Sequence, residues 1–408
     1  MNHSESLLAS QKIKYDSNLE GLRGLAALIV GISHIFGIKH LLDPDYHPDL
    51  FWLNTGKSAV LIFFIMSGYV IGLTNQTSYS PLQAKQYLLR RMVRLVPIYI
   101  IAVILGVIAI PQTNILAIFG NLFFLQNILV PRIEGNSPIW SINYEVIYYL
   151  LFLLIWWLRP PLKFVILFCL SISILGWFSS PIPDVLCSYA SGFIFWVLGL
   201  WLAWRVKINR EVFSKIPLFS YLLLFYSLHN FQFGSVILHG LGMAGASNSQ
   251  VSLADLIGAM PICIVMMAAI THRPFIGFKW INRFCFLLPA LMSLFLVLTG
   301  RIGEERWLSA VVLYVLALVL MGWKLDCKRL SSLAFWGRIS YGFYLVHFPF
   351  ILIIQVYFPL AGSWTIFCLR AILWFALSTV ISVLLELVFQ PIIKRWCTQR
   401  NWFASSAS

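Results

Sequence analysis

The chain has 408 residues, of which 60% are hydrophobic and 11% charged, with a formal net charge of +14. A water-soluble domain carries about a quarter charged residues, so this composition excludes one and predicts a polytopic membrane protein. Apolar runs of about 20 residues without period-two alternation make the spans helices rather than barrel strands. No basic run interleaved with aromatics lies outside them, which argues against a nucleic-acid partner.

Residues 1–17 read as a cytoplasmic N-terminal tail, and no small-residue cleavage site follows the first apolar run, so the first helix is expected to stay attached. That helix, residues 20–42, holds the stretch NLEGLRGLAALIVGISHIFG (Asn18–Gly37). Arg23 and His34 are eleven residues apart, within about 20° of whole turns and about 16 Å along the axis, hence on one face. Arg23 suits a snorkelling anchor at the membrane edge. His34 is either an imidazole hydrogen-bonded to a neighbour or a general base for a hydroxyl, and polar groups at this depth tend to be functional.

A second helix is expected at 56–75, around FFIMSGYVIG, then a polar and basic stretch at 76–92 ending in RRMVRL, then a third helix at 92–110 with a kink at Pro97. Arg91 and Arg94, three apart, are neighbours on one face beside Arg90. They serve topology and anionic lipids, or they clamp phosphates as guanidinium forks do. Residues 114–130 are apolar but short and interrupted by Asn121, Gln126 and Asn127, the pattern of a re-entrant or interfacial segment shielded by protein.

The fourth helix opens NSPIWSINYEVIYYLLFLLIWWL, with Ser137 as N-cap and Pro138 first in the helix. Glu145 lies two turns in, among Trp140, Ser141, Asn143 and Tyr144. It must be paired or neutralised, as a structural salt bridge or as a partner that orients an imidazole. Further helices are expected at 162–179, 186–204, 216–233, 253–271, 284–299 and 307–323, with a Gly-rich loop at 234–250. The eleventh, 337–357, opens GRISYGFYLVHFP and puts Ser340, Tyr344 and His347 on one stripe. His347 is about 15 Å from its helix start, a depth like that of His34. This stripe is either packing polarity or function. A twelfth helix at 364–390 leads to a basic tail, 394–408.

Counting Lys and Arg by loop gives about 23 on the N-terminal side and about 5 on the other, which puts both termini in the cytoplasm of a plasma (inner) membrane protein. The seven cysteines are odd in number, lack a C-x-x-C pair and sit in or near apolar runs, so neither a disulfide framework nor a metal site is expected.

Arg23 with His34, FFIMSGY, RRMVRLVPIY, WSINYEVIYY and GRISYGFYLVH, in this order from residue 18 to the last helix, resemble the acyltransferase 3 family. The resemblance implies an integral-membrane O-acyltransferase, with residues 18–393 as its membrane-embedded domain and a core of about ten helices against the twelve counted here. It implies acyl-CoA, usually acetyl-CoA, as the donor from the cytoplasm. The acceptor is a hydroxyl of a surface glycan, peptidoglycan, a lipid-linked sugar or a small molecule such as a macrolide. His34 matches the catalytic histidine, Arg23 its motif partner, Arg91 and Arg94 the essential arginine pair, and Glu145 the carboxylate of the W-S motif. Some members add a periplasmic hydrolase-like domain; the chain is expected to lack one and to rely on a partner for any further transfer. The expected mechanism puts CoA phosphates near Arg91 and Arg94 and the thioester near His34, with Glu145 holding the imidazole or stabilising its charge, and the sequence allows direct transfer and an acyl-histidine intermediate equally. Intramembrane His, Arg and Glu also suit a proton-coupled transporter, which calls for inverted repeats that the sequence does not display. A structural partner in a glycan assembly complex leaves the aligned His and Arg without a role.

Overall fold

The computed structural model describes residues 17–48, 50, 53, 55–178, 182–209, 217–243, 250–301, 305–322, 327–400 and 402. In chain order the helices are α1 (Ser17–Gly37), α2 (Gly56–Thr74), α3 (Pro81–Ala109), α4 (Ile115–Leu122), α5 (Trp140–Leu158), α6 (Leu162–Phe178), α7 (Asp184–Arg205) and α8 (Leu218–Asn230). They continue as α9 (Phe233–Gly240), α10 (Leu253–Gly258), α11 (Met260–Ile270), α12 (Phe278–Leu298), α13 (Glu305–Gly322), α14 (Ala334–Tyr357), α15 (Trp364–Val383) and α16 (Gln390–Gln399). A π turn, Leu384–Phe389, joins α15 and α16 into one rod. Among the described residues no strand forms, and eight helical stretches are long and apolar enough to cross a bilayer: α1, α2, α3, α5, α7, α12, α14 and the α15–α16 rod. Three shorter apolar helices, α6, α11 and α13, accompany them. The chain is an all-α polytopic membrane protein.

Several predicted boundaries move, each for a local reason. Helix α3 starts at Pro81, not at 92, because Ser80 Oγ accepts the Gln83 N–H at 3.3 Å and Pro81 takes the first helical position. Arg90, Arg91 and Arg94 therefore ride on a continuous helix, which also runs through Pro97. Helix α1 stops at Gly37, and His40 just beyond has φ +57°, which no α-helix sustains. Ser137 is not the cap of α5. It lies in a 3₁₀ turn, Glu134–Ile139, and its hydroxyl accepts from Arg132 at 3.4 Å. The 253–271 helix breaks at Ala259 into α10 and α11, with Pro261 in the first turn of the second. The Gly-rich stretch begins as helix α9, and its residues 244–249 lie outside the described ones. Of the two tails, residues 1–16, 401 and 403–408 lie outside the described residues, and the last helix persists to Gln399.

The 114–130 segment has a short helix, α4, and its polar residues point inward. Asn121 donates to the carbonyls of Ala117 (2.7 Å) and Pro131 (2.9 Å), and Gln126 donates to Tyr99 Oη (3.0 Å) and the Ile139 carbonyl (3.1 Å). Leu116, Phe119, Phe123 and Leu129 stay exposed, as a segment at a lipid interface requires.

Two contacts set the frame for the site. α1 and α14 run parallel with their backbones touching: a Cβ on Gly24 would lie 2.5 Å from the Gly337 nitrogen, and one on Gly337 would lie 2.0 Å from the Glu20 carbonyl. Small residues permit this approach in a bilayer, where close packing rather than water exclusion drives association. At the other end of α1, Ser33 Oγ accepts the Gly56 N–H at 2.8 Å, so α2 starts beside the end of α1 and runs back antiparallel to it. Beyond the end of α1, buried Arg370 of α15 gathers the carbonyls of Leu42 (2.9 Å), Ile354 (3.2 Å), Phe358 (2.9 Å) and Leu360 (2.8 Å). Its nearest carboxylate, that of Asp43, is 3.8 Å away and accepts the backbone N–H groups of Asp45, Tyr46 and Gly362.

Candidate active site

Between α1, α2, α3, α5 and α14 lies a cleft of about 160 Å³. Along α2 its wall runs from Val60 to Val70, about 15 Å at the helical rise. Arg23, Arg91 and Arg94 line one end, Ser67, Glu145, Tyr149 and Tyr341 its middle, and Phe63, Ser141 and Tyr344 the other end.

The three arginines have different surroundings. Arg23 donates to the Gly337 carbonyl from Nε (3.0 Å) and Nη2 (2.6 Å) and pairs with Glu20 at 2.5 Å, which fastens α1 to α14. Arg94 is held in a two-point fork by Glu386 of the π turn, at 2.5 and 3.1 Å. The Glu386 side chain is 1% exposed and also accepts the Gly342 N–H at 3.2 Å. Arg94 thus comes with its counter-charge. Arg91 lies over the rings of Tyr87 (5.5 Å) and Tyr149 (5.6 Å) and makes no ion pair with a described residue. Its charge remains available to an anion in the cleft.

Glu145 does not meet His34. One of its oxygens accepts from Tyr149 Oη and from Ser67 Oγ (3.3 Å), and the other makes no hydrogen bond with a described residue. Around it, Tyr344 Oη donates to the Pro138 carbonyl (2.8 Å) and therefore accepts from Ser141 Oγ (2.7 Å). Tyr144 donates to Ser188 Oγ at 2.7 Å, Trp140 packs edge-on against Tyr144 with ring centres 5.1 Å apart, and Ser340 Oγ returns to the Gly337 carbonyl at 2.8 Å. Of these residues Ser141, Ser340 and Tyr344 line the cleft, and Trp140 and Tyr144 pack outside its lining.

The partner of His34 is His347. Their ring centres are 5.1 Å apart, and His347 Nε2 is 3.2 Å from His34 Nδ1. The proton positions follow from the acceptors around them. His347 Nδ1 faces two carbonyls, Tyr344 at 2.7 Å and Phe343 at 3.2 Å, so it carries the proton and leaves Nε2 with a lone pair. His34 Nδ1 faces that lone pair and the Val30 carbonyl at 2.8 Å, so it too is a donor. His34 Nε2 is left with an unshared lone pair and no hydrogen bond to any described residue. His347 is fully buried and His34 half-buried. Neither ring lines the cleft, but Tyr344 at the end away from the arginines does, with its ring 5.9 Å from that of His347. The cleft therefore ends about one helical turn short of the imidazole pair.

Sequence reasoning missed Ser67, Tyr149, Tyr341 and Glu386. Glu386 had a readable signal, a lone carboxylate in the apolar run LLELVF, since such a charge demands a partner. The tyrosines had none, because aromatic residues fill this chain.

The arginine-rimmed cleft and the histidine pair beyond its end make a candidate active site within a helical membrane bundle. The chain belongs to the acyltransferase 3 family: its acyltransferase domain matches residues 16–390. The chain is similar to a peptidoglycan O-acetyltransferase of Listeria monocytogenes, at 29% identity over 176 residues, 36% of this chain and 26% of that protein. It is also similar to a provisionally named O-acetyltransferase of Staphylococcus aureus strain COL, at 26% identity over 208 residues, 49% of this chain and 31% of that protein. The matched region thus spans about a quarter to a third of the length of these relatives. No solved structure matches the chain.

Proposed function

We propose that the protein transfers an acetyl group from acetyl-CoA to a hydroxyl of a cell-surface or lipid-linked glycan, with His34 as the base. The observation that carries this is the lone pair of His34 Nε2, fixed by the hydrogen bonds of both imidazoles and placed one turn beyond the cleft. The family supplies the acyl-transfer class, and the names of the two relatives point to acetyl and oxygen.

The donor enters at the end where Arg23, Arg91 and Arg94 lie. The Lys and Arg bias of the loops favours this end as the cytoplasmic one of a plasma-membrane protein. Of the three arginines in the cleft, Arg91 has no ion pair with a described residue and takes the CoA phosphates, while Arg94 with Glu386 and Arg23 with Glu20 hold the mouth in shape. The thioester arm runs down the cleft past Ser67 and Tyr344. The acceptor arrives from the opposite side. Its hydroxyl attacks the thioester carbon as His34 Nε2 takes its proton. The imidazolium that forms keeps its Nδ1–H on His347 Nε2 and the Val30 carbonyl, and then gives the new proton to the departing thiolate. His347 is a positioning residue. Glu145, with one oxygen open to the cleft, orders the thioester arm rather than the imidazole.

The test is His34→Ala and His34→Gln, expressed in membranes and given radiolabelled acetyl-CoA with cell-wall and surface-glycan fractions. Both variants insert normally and lose O-acetyl transfer. Undiminished acetyl content of the glycan in cells with well-expressed His34→Ala refutes the mechanism.

A further inference from the structure

A second cavity, of about 180 Å³, opens on the other side of α2, walled by α2, α8, α9 and α10. Its lining is polar for a membrane bundle: Lys57, Ser58, His229, Gln232, Ser252 and Asp255, over Phe225 and Phe233. It shares no lining residue with the first cleft. It lies at the His34 end of the molecule, since the Gly56 N–H reaches Ser33 Oγ. Ser58 is two residues on, about 200° around α2, so it faces α8 instead of α1. Ser33, the neighbour of His34 in sequence, and the cavity lie on different sides of the first turn of α2, so about one helix diameter, 10–12 Å, separates the cavity from α1.

The polar groups are arranged rather than scattered. Ser58 Oγ and His229 Nδ1 are 2.5 Å apart, which pins α8 to α2. Asp255 Oδ2 takes three donors, Lys57 Nζ (2.8 Å), the Ser252 N–H (2.8 Å) and the Ser252 hydroxyl (3.0 Å). Asp255 Oδ1 has no hydrogen bond to a described residue, although the side chain is only 15% exposed. Gln232 sits at the junction of α8 and α9 with φ +44°, a left-handed conformation that a glutamine adopts only under constraint, and its amide makes no hydrogen bond with a described residue. The cavity thus offers one open carboxylate oxygen and one exposed carboxamide over an apolar floor to which the buried Phe225 and Phe233 contribute, with its cation already neutralised. Carboxylates and amides that accept from and donate to vicinal hydroxyls, beside an apolar surface, are the chemistry that holds an uncharged sugar. A lipid chain finds too many polar groups here, and a phosphate finds a lysine already paired.

We propose that this cavity is a saccharide subsite that holds a glycan residue next to the one acylated. It rests on the acyl-transfer reading for its role but not for its binding. The distance across the α2 turn keeps the bound residue out of reach of His34, so the cavity selects the acceptor instead of presenting the reacting hydroxyl. Asp255 Oδ1 and Gln232 are the selecting groups.

The experiment is saturation-transfer NMR on the purified full chain in detergent, with uncharged disaccharides (diacetylchitobiose, cellobiose, maltose and lactose) at millimolar concentration. At least one gives saturation transfer, which Asp255→Asn and Gln232→Asn each reduce at least threefold and His34→Ala leaves intact. Gln232→Asn is the safer variant, since asparagine tolerates the left-handed backbone and the wild-type amide touches no described residue. No transfer with any disaccharide, or transfer unchanged in both cavity variants, overturns the subsite. Sugar binding without acetyl transfer defeats the enzymatic reading alone. Acetyl transfer with an acceptor KM unchanged in Gln232→Asn defeats the subsite alone.

Discussion

Replacing Glu386 with Ala leaves Arg94 without its counter-charge in the bundle. The pair is bidentate, at 2.5 and 3.1 Å, and the carboxylate side chain is 1% exposed, so the carboxylate itself gains almost nothing from solvent. Truncating one partner of a fully buried pair costs about 3–5 kcal/mol. The Arg94 side chain is 27% exposed toward the cleft, where water can rehydrate the stranded guanidinium, so the loss expected here is about 2–4 kcal/mol. The Gly342 N–H also loses its carboxylate contact, a smaller effect. The assay is reversible unfolding in mixed micelles, followed by tryptophan fluorescence. Glu386→Ala should unfold well before the wild type, and Arg94→Met with Glu386→Leu should recover most of the loss, because removing both charges removes the desolvation problem. A Glu386→Ala protein within about 1 kcal/mol of the wild type would mean that Arg94 is charged and solvated independently of Glu386. The division of labour between the arginines would then fail.

Arg91→Gln should raise the KM for acetyl-CoA at least tenfold with less change in kcat, while dephospho-CoA thioesters should discriminate poorly between the variant and the wild type; steady-state kinetics in proteoliposomes reads both. His347→Gln should lower kcat by about 10²-fold or more, the scale of a disturbed general base, without altering the KM for the donor. Equal kcat in His347→Gln and the wild type would show that the imidazole pair is structural. Glu145→Gln should keep the fold, since the amide oxygen still accepts from Tyr149 and Ser67, and should lower transfer less than His34→Ala does. Arg370→Leu strands carbonyls from both sides of its rim, at about 1–3 kcal/mol for each group left unmet, and loss of folded protein in detergent chromatography is the readout.

What the residues alone could reveal divides along physical lines. Helical spans were legible because twenty apolar residues in a bilayer have one solution, and α2, α7 and α14 appear close to where hydropathy puts them. The starts of α3 and α12 were not, because their first turns are polar and basic and lie outside the apolar run; the Ser80–Pro81 cap says more about α3 than hydropathy does. The pairing of His34 with His347 was half legible. Helical phase and depth put both imidazoles at one level, yet Glu145 had an equal claim on depth. What decides between them is the α1–α14 glycine contact, a long-range match of small residues that no local pattern announces. The carboxylate of Glu386 escaped because its register depends on the π turn, whose extra residue rotates the end of the helix.

The guanidinium of Arg370 joins the end of α14, the segment after α1 and the approach to α15 with four carbonyl contacts. Three chain crossings on that flank behave as one plate. A crosslink that ties these three segments together should therefore leave turnover unchanged.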